Sequence, residues 1–178
     1  MIRTAIVLAL GVLASSSVDA YEQYKAALPS ASTLARAPQT NEMDMYVYFR
    51  GHMTLQVTYR FVYDEESGYS DNPYLLLMPD EKGLAQMPYL TERGKPERPA
   101  EIFVLNPKEA AGRLLSKELA AEIQAGKHKE ISGTAVVSVD GIGVGYECDR
   151  ATSVARFVSL KQVVTKPVAT PPGRRHGC

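Results

Sequence analysis

The best-defined chemistry in this chain sits at even-numbered positions of one stretch: Tyr46, Tyr48, Arg50, His52, Gln56 and Arg60. Two-residue spacing places such side chains on one face of a β-strand. Tyrosine and arginine join a large contact area to a polar handle at modest entropic cost, which makes them favoured contact residues. The row therefore reads as a surface for a protein or a saccharide-bearing envelope component. It lacks the paired carboxylates or the nucleophile beside a base that a reaction needs. The bland alternative is that another strand or the N-terminal leader covers the tyrosines.

Other groups carry types that could serve catalysis or metal binding. His52 with Asp64 and Glu66 is the acid–base set that an exported hydrolase would use. Asp64–Pro73 carries four carboxylates, but Gly68 falls out of step with a calcium loop, so a solvated connection is expected. Ser70-Asp71-Asn72 matches one element of the serine β-lactamase set, whose S-x-x-K and K-T-G partners are absent. Gly141, Gly143 and Gly145 alternate strictly with no helix after them. They expect a bare strand face that another backbone or a large side chain approaches, not a dinucleotide loop. His128 follows a helix end and His176 lies in the tail. No histidine pair has metal-binding spacing and no phosphate loop is present, so no cofactor or metal is expected.

The chain opens Met1-Ile2-Arg3, followed by an apolar run from Ala5 to Ala14 and a small-residue ending at Ala20. That order describes a signal peptide over 1–20, and the run is too short to cross a membrane. The expected mature chain is therefore exported, periplasmic or secreted, with no transmembrane segment. In an oxidising compartment the two cysteines, Cys148 and Cys178, expect a bridge, with a free or intermolecular Cys178 as the alternative. A bridge closing that loop would contribute about 3 kcal/mol. Twenty basic residues balance twenty acidic ones, which argues against a nucleic-acid partner. The end is locally basic, and attraction to an anionic envelope surface would make the chain a structural envelope protein.

The elements that position these groups follow from periodicity. From Met45 to Tyr63 the odd positions are apolar or aromatic apart from Gly51, and the even ones are mostly polar. This is one long strand, roughly 60 Å if straight, so a bend at Gly51 is expected. Residues 21–44 read as a flexible leader. Tyr74–Met78 and Glu101–Leu105 read as strands, with loops and a short edge strand, Leu84–Leu90, between them. Asn106-Pro107 starts a helix, with an apolar stripe at Ala111, Leu115, Leu119 and Ile123; Ser116 offers a second cap and Gly126 a stop. Glu130–Val139 is strand-like, Asp140-Gly141 reads as a hairpin turn into Ile142–Cys148, and Thr152–Val164 follows. Residues 165–178 read as a Pro-rich basic tail. The order resembles the oligonucleotide/oligosaccharide-binding (OB) fold over 45–164: α+β, mainly antiparallel, a small partly open barrel with one packing helix. The function expected is that of a non-catalytic binding protein, of inhibitor or immunity type or directed at an envelope component.

Overall fold

A computed structural model describes residues 24–38, 45–62, 74–92, 95–147 and 150–170. Its strands are β1 Tyr24–Ala27, β2 Ala35–Arg36, β3 Tyr46–Val62, β4 Tyr74–Pro79, β5 Tyr89–Glu92, β6 Lys95–Glu97, β7 Ile102–Val104, β8 Glu130–Glu147 and β9 Arg150–Thr170. Three helices, α1 Glu81–Gln86, α2 Pro107–Leu114 and α3 Lys117–Gln124, lie among them.

β3 organises the rest. Its odd positions Phe49, Met53, Leu55, Val57, Tyr59 and Phe61 are all buried, whereas Arg50, His52, Thr54, Gln56 and Thr58 are exposed. The period-two pattern thus sorts the strand as the pleat requires. β8 pairs with β3 over its whole length, and β4 pairs with its second half. β4 continues to β7, β7 runs parallel to β9, and β9 returns antiparallel to β8. The path β3–β4–β7–β9–β8 therefore comes back to β3, so the sheet is partly closed. Its interior is filled from all five strands, with Leu75, Leu77, Ile102, Val137, Ile142 and Phe157 essentially inaccessible. A parallel β7–β9 pair needs a crossover, and α2, α3 and β8 supply it.

β3 and β8 are irregular at the same level. Gly51 has φ +121° and Gly141 φ +63°, conformations that favour glycine. Phe49 faces Ile142 and His52 faces Asp140, so two residues of β3 stand against one of β8. Against β9 the excess is on β8, since Asp140 faces Arg156 and Gly143 faces Val154, so Asp140-Gly141 lies at a bulge inside one continuous strand and not at a hairpin turn. The dipeptide satisfies either geometry, and the bend of β3 opposite selects the bulge. The chain instead reverses between Glu147 and Arg150, which face each other.

The helical region forms as the pair that Ser116 suggested. The Ser116 hydroxyl accepts from Leu119 N at 3.2 Å, and Ala110, Ala111, Leu114, Leu115 and Ile123 are buried. Asn106 starts α2 but does not cap it with its side chain. Its amide clasps the β9 backbone, donating to Phe157 O at 2.9 Å and accepting from Phe157 N at 2.8 Å. The connection 81–100 is more ordered than its glycines and prolines suggested. Asp80 caps α1 by accepting from Gly83 N at 2.8 Å, and β5 occupies 89–92, in place of a strand over 84–90.

Two segments read as loose join the sheets. From the leader, β1 pairs with β5, beside β6, and β2 pairs with β3 at Phe49–Arg50. Leu34 packs against Gly51 and is buried. From the tail, β9 runs on to Thr170, and Pro167 is tolerated there because the strand is at an edge. Residues 1–20, the Asp64–Pro73 connection with Asp64 and Glu66, both cysteines and His176 lie outside the described residues.

Candidate binding surface

The even side chains of β3 divide into two sets at the bend. Before it, Tyr46 faces Gly145 and Tyr48 faces Gly143 across the β3–β8 ladder. Each ring lies over the bare backbone opposite. A Cβ on Gly143 would sit 2.8 Å from Tyr48 Cε1 and 2.8 Å from Val154 Cγ2. One on Gly145 would meet Tyr46 Cδ1 at 3.0 Å and collide with the Met45 carbonyl. The Tyr46 ring crosses β8 entirely, and its hydroxyl lies 3.2 Å from Thr152 Oγ1 on β9. The two rings are 6.2 Å apart. Burial raises the Tyr46 phenol above its ordinary value, against the opposing effect of the Thr152 hydrogen bond. These tyrosines are half-buried braces joining β3, β8 and β9.

The same end of the sheet is tied to the smaller one. Tyr146 donates to Glu97 Oε2 at 2.7 Å, and Ala151 N donates to Glu97 Oε1 at 3.1 Å. One carboxylate of β6 thus grips β8 and β9 together.

Beyond the bend the register lines up outward rows across β3, β8 and β9. His52, Asp140 and Arg156 form the first, Gln56, Val136 and Gln162 another, and Thr58, Thr134 and Thr165 the next. Asp140 Oδ1 accepts from Gly141 N at 2.7 Å, and Arg156 lies 3.6 Å from Glu109 of α2. The row through Thr54 differs, because Ser138 is only 6% exposed. At the far end Arg60 Nη2 donates to Glu130 Oε2 at 2.6 Å, and Nε donates to the same oxygen at 3.0 Å. That bond holds the Glu130 carboxyl below the usual range and raises the Arg60 guanidinium.

Of the six side chains singled out by sequence, Arg50, His52 and Gln56 are exposed on a braced strand. Tyr46, Tyr48 and Arg60 are committed to neighbouring strands. The accessible set can donate hydrogen bonds to carbonyl, hydroxyl or anionic groups. Asp140 is the acid facing His52, and its Oδ1 is engaged by the backbone. Among the described residues no cluster of three His, Cys, Asp or Glu side chains could hold a metal ion. Among them, too, no helix is long and apolar enough to cross a membrane. Sequence reasoning missed Thr152, Val154 and Glu97 as partners of this region. One signal was present: the 143/145 glycine spacing matches the 46/48 tyrosine spacing.

No protein-family model, curated protein or solved structure matches this chain.

Proposed function

We propose that this chain is an exported, non-catalytic binding protein that engages a protein or envelope component through Arg50, His52 and Gln56. The observation that carries the reading is the sorting of β3. Its inward residues are locked in the core while these three side chains stand exposed on the opposite face. Binding groups on a rigid strand lose little freedom on contact, which favours recognition. Export is supported by the charged, apolar and small-residue order of the first twenty residues.

The barrel is read as OB-type. In support, its first strand (β3) pairs with the second (β4) and the fourth (β8), and its third (β7) runs parallel to the fifth (β9). The helices fall between the third and fourth strands. That architecture carries oligosaccharides as well as nucleic acids, so the fold does not fix the partner and the exposed side chains must.

The test is capture from the envelope fraction of the source organism, with the full chain and with Arg50→Ala/His52→Ala/Gln56→Ala. A partner retained by the first and lost by the second, at unchanged melting temperature, supports the reading. Retention by both, or a turnover activity abolished by His52→Ala, overturns it.

A further inference from the structure

The second half of β9 is unlike the rest of the surface. Six large apolar side chains are exposed among the described residues, and Val158, Val163, Val164 and Val168 are four of them, at 42–66%. β9 pairs with β7 only at Ser153–Ala155, so from Val158 onward its outer edge has no neighbouring strand among the described residues. From Arg150 to Thr170 the strand contains no acidic residue, and Lys161 and Lys166 are both exposed among the valines.

The pairing with β8 slips repeatedly. Phe157 faces Val139 and Ser159 faces Ser138, leaving Val158 extra. Leu160 and Gln162 face adjacent residues of β8, as do Val163 and Thr165, leaving Lys161 and Val164 extra. Such bulges, with Pro167 and the lysines, block the regular hydrogen bonding that strand addition needs. A second copy is disfavoured as well. An antiparallel β9–β9 pair centred on Val163–Val164 would set Lys161 of each copy opposite Lys166 of the other, and like charges directly opposite repel. Val158, Lys161 and Val164 are the extra residues, Val163 and Val168 face Ala135 and Ser132, and together they present apolar groups flanked by cations on an acid-free strand. The complement is an apolar segment flanked by carboxylates.

We propose that the outer edge of β9 between Val158 and Val168 is a docking site for an acidic polypeptide segment. Contact is made by the valine side chains and by Lys161 and Lys166, not by a backbone ladder. The site is separated from β3 by β8, although Gln162 and Thr165 share outward rows with Gln56 and Thr58, and its test variants leave Arg50, His52 and Gln56 in place.

The test uses the full chain and a fluorescent probe peptide alternating leucine and glutamate, with its lysine counterpart, read by polarisation at 0.15 M salt. The acidic probe should bind and the basic one should not. Lys161→Glu/Lys166→Glu should weaken the acidic probe about tenfold or more, the size of two rim charges reversed. Val164→Ser/Val168→Ser should weaken it comparably. Both pairs are exposed, so unchanged melting curves are expected and serve as the folding control. N-methylation of alternate probe amides should leave binding intact, whereas its loss would mean strand addition and overturn the side-chain site. Equal binding of both probes also overturns the proposal. So does a dimer in sedimentation that the valine variants dissociate. Lysine-dependent binding to phosphatidylserine vesicles without binding of the acidic probe would assign the edge to a membrane surface instead.

Discussion

Replacing Tyr48 by alanine should destabilise the fold and replacing Arg50 by alanine should not, although the two residues are near neighbours on the same outward series. Tyr48 lies over Gly143, so its removal uncovers glycine backbone and empties a half-buried site. Truncating a fully buried aromatic costs about 3–5 kcal/mol, and half of that, roughly 2 kcal/mol, is expected here. For a chain of this size roughly 2–4 °C accompanies each kcal/mol, so the melting temperature should fall by about 4–8 °C. Arg50 is exposed, and Arg50→Ala should stay within about 0.5 kcal/mol of the parent. Thermal and urea melts followed by circular dichroism measure both. The converse variant probes the same contact from β8. Gly143→Ala brings a methyl to 2.8 Å from both Tyr48 Cε1 and Val154 Cγ2, an overpacking worth about 1–3 kcal/mol. Part of that cost should vanish in the Tyr48→Ala background, because one of the two obstacles is gone. Tyr48→Ala melting with the parent, or two substitutions that add without coupling, would show that the ring does not brace β8.

Four further outcomes are expected. Gly133→Ala would place a methyl 2.5 Å from Tyr59 Oη and 2.7 Å from its Cζ inside the core, lowering stability by about 1–3 kcal/mol. Tyr59→Phe should be neutral or stabilising, because that buried hydroxyl has no hydrogen-bond partner among the described residues; denaturant midpoints decide both. The Glu130 carboxyl is depressed in the folded state, so its contribution is present above the unfolded value near 4.3 and is lost as pH falls through the lower folded value. Arg60 is 37% exposed and Glu130 23%, which limits this to about 0.5–1 kcal/mol; Glu130→Gln should remove it at pH 7 and narrow the gap from the parent in acid. Gly51→Ala meets both a φ of +121° and Leu34 Cδ2 at 3.2 Å, and should cost roughly 1–3 kcal/mol, whereas an unchanged melting curve would show that the bend is not strained by a side chain.

Some of this was legible without coordinates because it depends on neighbours along the chain. The burial of Phe49 and Leu55 with exposure of Arg50 and Gln56 follows from alternation alone. The start of α2 at Pro107 and the restart at Ser116 follow from local caps. Asp140-Gly141 was misread because its signature is local while the choice between turn and bulge is not. The leader strands and residues 165–170 escaped notice because an edge strand takes its hydrogen bonds from a partner distant in sequence.

The amino-acid order by itself determined which face of β3 is apolar, where that strand bends, and where the α2–α3 pair begins, since pleat, glycine freedom and capping act over a few residues. Only the tertiary structure decided which outward groups remain available. Tyr46 and Tyr48 are withdrawn by the glycines of β8, and Arg60 by Glu130, seventy residues away. Arg50, His52 and Gln56 are left exposed. Pairing register is a long-range property, and it is register that brings a ring to a bare backbone or a cation to its carboxylate.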